Sequence, residues 1–347
     1  MRPLAPASTV ARSVTDFMAF LRRENLFRLM GVIFGLVVLG AAGLTYFEGR
    51  PFVDALWWAI VTLTTVGFGD IAPVTIGGRL IGVVLMFFGI GVLGMFTATI
   101  AGVFVENRLR RERGMDSFDF EGHIILCGWN DRMHEILNDL RADARAAQAA
   151  IVLIADIETK PVVDERLHFV RGDLTEEHLK RAGLERAATI LIVGDQSLEP
   201  GARDAKTVLS TLTVESLNPD VYSIVELASE ANVRHCERAN ADEIIVGAEL
   251  CSRVMSTAAL DHGISTVLRE LLNAQVGRDL ITVPVPSALA GRTFSEVLSQ
   301  LKRDHDMIAL AVQRHGRAEV LTNPDAETRV EADDRLVVIS AGEPAGA

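Results

Sequence analysis

Residues Thr62–Asp70, TLTTVGFGD, join two strongly apolar stretches and hold very little side-chain chemistry. What they offer is oxygen: threonine hydroxyls, and main-chain carbonyls that small neighbours leave unshielded. A second set of candidates lies farther along. The segment CGWNDR, Cys127–Arg132, follows a short apolar run at the place where a G-x-G-x-x-G turn would cradle a pyrophosphate. Here Cys, Trp and Arg stand at the three glycine positions. Asp156 closes the next apolar run, IVLIAD, at about the distance where an acidic residue holds an adenosine ribose. Capping a following helix is the other reading of Asp156. The missing glycines argue against NAD-dependent redox chemistry and leave a mononucleotide or adenosine moiety open. G-x-S-x-G, HExxH and P-loop motifs are absent from the sequence, and no enzymatic activity is expected. Cys127, Cys236 and Cys251 are too few and scattered for a disulfide framework or a thiolate zinc site, which fits a reducing compartment. No His stands at metal-ligand spacing from Cys or Glu, so the histidines read as ordinary surface or core residues.

The elements around Thr62–Asp70 are apolar enough to leave water. Phe27–Phe47 carries no charge after Arg28 over about the length that crosses a ~30 Å hydrocarbon layer. Leu80–Val105 is uncharged for longer, so it spans with tilt or protrudes. A cleavable signal peptide is disfavoured for the first stretch, because about 26 mostly polar residues precede it and its apolar run is long. Arg12, Arg22, Arg23 and Arg28 precede the first helix, and NRLRRER (Asn107–Arg113) follows the second. Basic flanks stay on the cytoplasmic side, so both termini are expected there, in a multi-pass protein of the cell membrane. Between the two spans, Phe52–Thr65 is apolar and helix-compatible but too short to cross, as a re-entrant segment would be. Irregular backbone at membrane depth persists only where protein or a water-filled path satisfies its polar groups.

TVGFG, Thr65–Gly69, resembles the selectivity filter of potassium channels, in which carbonyl oxygens replace the hydration shell of the ion. The resemblance implies K⁺ as the ligand of Thr65, Val66, Gly67, Phe68 and Gly69. Gly67 and Gly69 can take the positive φ that turns successive carbonyls toward one axis, and Thr65 adds a hydroxyl at the inner end. Phe68 stands where Tyr is usual. It keeps an aromatic ring for packing on the pore helix, near Trp57 or Trp58, and loses a hydroxyl. One chain supplies one filter strand, so a homotetramer in the lipid bilayer is expected. GIGVLG, Gly89–Gly94, holds three glycines in six residues of the second span. Each costs up to ~1 kcal/mol in a helix, so either close packing or a gating hinge is expected, with Gly89 and Gly91 the hinge candidates.

From His123 the composition changes. Apolar runs (HIILCGW, AIVLIAD, LHFVRGD, ATILIVGD, VYSIVEL) alternate with amphipathic stretches, which implies βαβ units and a buried parallel sheet. The expected fold class is a membrane α-helical pore followed by an α/β Rossmann-like domain. The pore with ILCGWN, RGDLT, ILIVGD and the final segment resembles channels whose cytoplasmic RCK domain regulates potassium conductance. The resemblance covers nearly the whole chain. It implies a cytoplasmic N-terminus (1–26), pore (27–105), linker (106–120), Rossmann-like RCK lobe (121–246), connecting or dimerisation helices (247–275) and a small α+β C-terminal lobe (276–347). It also implies RCK domains paired into a gating ring of eight. A tetramer supplies four, and translation starting at Met115 would supply further soluble copies; an unremarkable linker methionine is the other reading.

In calcium-gated members the ligands are an acidic residue after the fourth strand and two glutamates at the end of the fifth, and carboxylates suit a hard divalent ion. Glu226 stands at the first glutamate position, Ala228 at the second and Gly194 at the aspartate position, with Asp195 displaced by one. The implied Ca²⁺ set is therefore reduced to Asp195 and Glu226. An adenine nucleotide at the carboxyl ends of the strands, near Gly128, Asn130, Asp156 and Asp173, is the other candidate regulatory ligand. The net charge of −12 reads as a solvated acidic surface, and no nucleic-acid partner is expected. A membrane-anchored nucleotide-binding sensor or a potassium-uptake subunit is the alternative to a ligand-gated channel, although a filter in the same chain argues against the uptake subunit.

Overall fold

The computed structural model describes residues 26–143, 145–272, 279–315 and 320–340. Arg12, Arg22 and Arg23, on which the orientation rests, lie outside the described residues. The chain divides into two units after Met115.

The first unit is helical. Helix α1 (Leu26–Glu48) is followed by the short α2 (Phe52–Leu63) and the long α3 (Ile76–Glu112). Helices α1 and α3 are long and apolar enough to cross a membrane, and α2 is not. Only about a fifth of either span is buried within the chain, so most of its apolar surface faces lipid or further subunits. The three helices meet around Ala41, Leu44, Ala55, Trp58, Ala59, Leu63 and Leu85. Helix α3 starts where the Thr75 hydroxyl accepts from Gly78 N at 3.0 Å. At ~1.5 Å per residue, its 37 residues give roughly 55 Å, well beyond the hydrocarbon layer. The basic stretch expected as a linker is thus largely helix. Asn107–Glu112 contains no breaker, Arg108 pairs with Glu112 at 2.9 Å, and the helix ends only before Gly114, at φ +64°.

The second unit has two sheets. In chain order its first part runs β1 (Ile124–Cys127), α4 (Asp131–Ala142), β2 (Ile151–Ala155), β3 (Leu167–Arg171), α5 (Glu176–Arg181), β4 (Thr189–Ile192), α6 (Pro200–Leu217), β5 (Tyr222–Leu227), α7 (Val233–Arg238) and β6 (Glu243–Val246). All neighbours pair in parallel, in the order β3-β2-β1-β4-β5-β6. Strands β1 and β2 are buried throughout, which is why they read as continuous apolar runs. Helices α8 (Gly247–Leu260) and α9 (Ile264–Leu271) follow and bury none of their residues; Met255 and Leu260 are more than 70% exposed. The final lobe comprises β7 (Asp279–Pro284), α10 (Phe294–His305), β8 (Ile308–Gln313), β9 (Val320–Thr322) and β10 (Arg335–Ser340). Its strands form an antiparallel sheet ordered β7-β10-β8-β9 around Phe294, Val297, Val312, Leu336 and Val338.

Candidate functional site: a carbonyl loop and a sheet-edge cleft

Helix α2 delivers the chain into the Thr62–Asp70 loop. The N–H groups of Thr65 and Val66 donate to Thr62 O and Val61 O, both at 3.1 Å, and Gly67 N reaches Val61 O at 3.4 Å. The donors of the loop's first half, Thr65 to Gly67, are therefore spent on the helix end. Among the described residues, no carbonyl from Thr65 to Gly69 accepts a hydrogen bond. Positive φ falls at alternate residues, Thr65 (61°), Gly67 (57°) and Gly69 (75°). Strand backbone with uniform φ points successive carbonyls to opposite sides; alternating its sign turns them the same way. The positive φ at Gly67 and Gly69 follows from their missing Cβ. That at Thr65 does not, since a β-branched residue rarely enters this region, and no sequence signal marked it.

Beside the loop, Phe68 stacks on Trp57 with ring centroids 5.9 Å apart and an interplanar angle of 8°. Trp57 Nε1 also donates to Asp70 Oδ2 at 2.9 Å. Of the two tryptophans named from sequence, Trp57 serves the loop, whereas Trp58 is buried in the helical core. The glycines of α3 differ among themselves. A Cβ on Gly89 would lie 3.1 Å from Leu63 Cδ1, so this glycine has a packing reason; Gly91 has open space around it. The helix is continuous through both.

The second region is a cleft of about 250 Å³ at the carboxyl ends of β1 to β4. It brings together all four residues proposed for a nucleotide, Gly128, Asn130, Asp156 and Asp173. Gly128 turns the chain out of β1 at φ +88°. Asn130 caps α4, its side-chain oxygen accepting from Met133 N at 2.9 Å. Asp156 does not cap a helix, because β2 leads through irregular backbone directly to β3; its side chain is 69% exposed, with Arg171 Nε 4.0 Å away. Lys206, from α6, bridges Asp173 at 2.8 Å and Asp195 at 3.3 Å. The Asp173 hydrogen bond holds the Lys206 ammonium above its ordinary pKa, and hydrogen bonds from Ser197 hold Asp195 below the usual carboxylate value. Asp195 and Glu226 are engaged by different partners, Asp195 by Lys206 and Ser197. Glu226 is ion-paired with Arg132 and accepts from Gly194 N at 3.4 Å. A Cβ at Gly194 would lie 2.6 Å from Arg203 Cδ, so Arg203 covers the position where the missing carboxylate would stand. Among the described residues, no three His, Cys, Asp or Glu side chains gather as a metal site. Sequence reasoning missed Arg132, Arg203 and Lys206. Their partners lie 5 to 94 residues away along the chain, so no sequence spacing pointed to them.

Residues 31–106 match the ion channel family, 119–225 the calcium-activated potassium channel slowpoke-like RCK domain, and 248–345 the Castor and Pollux family, part of voltage-gated ion channel. The putative potassium channel protein YugO of Bacillus subtilis is 33% identical over 93% of this chain and 98% of its own length. The calcium-gated potassium channel TvoK of Thermoplasma volcanium is 30% identical over 85% of this chain and 84% of its own. The chain belongs to the potassium channels with an RCK domain. This RCK channel is a membrane protein whose two apolar helices and parallel sheet match the pore-plus-RCK layout expected from sequence. Among solved structures, the GsuK channel is 20% identical, with 92% of this chain and 58% of that chain covered and a TM-score of 0.49. The human SLO3 gating ring is 17% identical over 63% of this chain and 44% of that one, with a TM-score of 0.50, a likeness of fold. As an RCK channel the protein is ligand-gated and conducts K⁺, and a sensor or uptake subunit is not favoured.

Proposed function

We propose that four copies of this RCK channel surround one axis and that K⁺ crosses along the carbonyls of Thr65, Val66, Gly67, Phe68 and Gly69. The carrying observation is the alternation of φ sign at Thr65, Gly67 and Gly69 together with the N–H groups of Thr65, Val66 and Gly67 already engaged by α2. In such a loop, desolvated K⁺ exchanges water for several main-chain oxygens, and weak binding at successive positions lets it leave again. The apolar faces of α1 and α3 support burial in lipid and against further subunits. Both termini and the RCK domain lie in the cytoplasm, on the strength of the basic flanks. Helices α8 and α9, with their exposed apolar residues, support pairing of RCK domains into a ring. Gly91 is the better hinge of the two glycines, since nothing packs on it.

For the regulatory ligand we favour an adenine nucleotide in the cleft of Gly128, Asn130, Asp156 and Asp173. TvoK is calcium-gated by name. Here Glu226 and Asp195 are each engaged by a cationic side chain, which weighs against a divalent ion held by that pair. A ligand that prefers one arrangement of the ring shifts the pore toward it by its difference in affinity for the two states. The test is flux into liposomes. Purified protein passes K⁺ well ahead of Na⁺, ADP or ATP changes the K⁺ rate, and Asp156→Ala weakens the nucleotide by calorimetry. Equal K⁺ and Na⁺ flux overturns the pore assignment, and unchanged affinity in Asp156→Ala overturns the cleft.

A further inference from the structure

Helix α4 opens with a charge in an unfavourable place. Arg132 sits in its first turn, two residues after the cap Asn130, where the partial positive charge of a helix N-terminus repels a cation. What holds it there is Glu226 at the end of β5, with which Arg132 is ion-paired. The partners are unequally placed, since the side chain of Arg132 is 50% exposed and that of Glu226 only 17%. Glu226 also accepts from Gly194 N at 3.4 Å, and Gly194 lines the cleft, so the pair stands against the cleft wall. Asn130, at the head of the same helix, lines the cleft as well.

On its other side the pair meets the start of α8. A Cβ on Gly247, the first residue of α8, would lie 3.9 Å from both Arg132 Nη1 and Glu226 Oε1. Glu226 is in register with Ile245 of β6, and Leu227 with Val246, so a shift at the end of β5 passes to the strand that leads into α8. The N-cap of α8 is Val246, which makes no side-chain cap, and a carboxylate beside Gly247 complements the partial charge left there. The cations inside the cleft are held more firmly. Arg203 donates to the carbonyls of Asp195 and Leu198, both at 3.1 Å, and Lys206 bridges two aspartates. Arg132, held by one carboxylate among the described residues and half in solvent, is the cation that an incoming anion can take over.

We infer that the Arg132–Glu226 pair is the switch by which a phosphate-bearing ligand in the cleft acts on α8: the phosphate draws Arg132 away from Glu226, and the released carboxylate shifts the junction of β5, β6 and α8. This rests on the nucleotide reading above and adds to it the route by which binding is felt. A terminal phosphate carries more charge than a carboxylate and fits the guanidinium fork equally well, and the N-terminus of α4 favours the same anion. A largely buried carboxylate that loses its cation does not stay as it was, because an unpaired charge there is costly. Helix α8 buries none of its residues and exposes Leu250 and Met255, so its start is a place from which a local shift reaches the pairing surface proposed above.

The test is calorimetry with ADP and with adenosine on the full-length protein, alongside K⁺ flux in liposomes. Adenosine shares the base and ribose and lacks the phosphates. Glu226→Gln keeps an oxygen for Gly194 N and gives up the charge that competes for Arg132; Arg132→Gln removes the guanidinium. In Glu226→Gln, ADP should bind about tenfold tighter with adenosine unchanged, and K⁺ flux without ADP should approach that of the parent with ADP. In Arg132→Gln, the advantage of ADP over adenosine should fall by about tenfold, and ADP should no longer change the flux. Where Arg132→Gln does not fold, Glu226→Gln decides. Equal ADP affinity in the parent and Glu226→Gln overturns the inference. So does an adenosine affinity that rises as much as that for ADP, which marks a general loosening of the cleft. Failure of Glu226→Gln to fold also overturns it, assigning the pair to folding. A parent that binds neither ADP nor adenosine refutes the nucleotide reading instead.

Discussion

Trp57 and Phe68 lie face to face, 5.9 Å apart at their centroids and 8° from parallel, so the aromatic ring inside the TVGFG sequence rests on the helix that delivers it. The same indole donates to Asp70 at 2.9 Å, which ties the residues on either side of Gly69 to a single side chain. Trp57→Phe keeps a ring for stacking and removes the donor. The assembled channel should lose about 1 kcal/mol per subunit, the net worth of an ordinary hydrogen bond, and Phe68→Ala should lose more, as read from thermal dissociation in detergent.

Gly67→Ala should abolish K⁺ flux while the protein still assembles. Nothing lies within 4 Å of a Cβ built on Gly67, so the obstacle is its φ of +57° rather than space. An L-residue there costs about 1–2 kcal/mol and relaxes by turning a carbonyl out of line. Liposome flux with a size-exclusion profile checks both halves of the expectation.

Gly89 and Gly91 should separate packing from bending. Gly89→Ala pushes a methyl to 3.1 Å from Leu63 and should lower thermal stability. Gly91→Ala meets no atom within 4 Å in the chain and should raise helix stability by up to ~1 kcal/mol. If α3 bends at Gly91, that variant also lowers open probability in single-channel records, which Gly89→Ala does not do in the same way.

The Lys206 bridge sets a pH window. Asp195 is held below its ordinary 3.8, so its contribution is present above that value and is lost as pH falls through the lower folded one. Lys206 is held above 10.5, so its contribution is present below that value and is lost as pH rises through the higher folded one. The bridge's contribution to the denaturant midpoint should therefore be full and independent of pH between about pH 5 and 9, and the difference between parent and Lys206→Met should shrink at either extreme. A difference that grows on acidification would contradict the assignment.

Met115 stands between α3 and the second unit, so a start codon there would encode the whole second unit without the pore. Expression of the intact gene should give two bands on a denaturing gel, the smaller of roughly two-thirds the mass, and Met115→Leu should remove the smaller. A single band with eight domains in the assembled particle would rule the internal start out.

What the sequence by itself determined is what depends on neighbours along the chain. Uninterrupted apolar length marked α1 and α3, because crossing hydrocarbon demands it, and runs buried on both faces marked the parallel sheet. Spaced glycines marked Gly67 and Gly69, because only a missing Cβ makes positive φ cheap. Even the cleft was legible as far as Gly128, Asn130, Asp156 and Asp173, since strand ends at a crossover are where such sheets gather residues. Tertiary structure alone decided which distant side chains meet. Glu48 binds residues 26 and 27 positions away, Lys206 reaches Asp173 across 33, and Arg132 takes Glu226 and Arg203 covers Gly194 from other elements. No spacing rule encodes those pairs, because their approach is set by how helices and strands pack, and long flexible cations settle on whichever carboxylate the packing brings within reach.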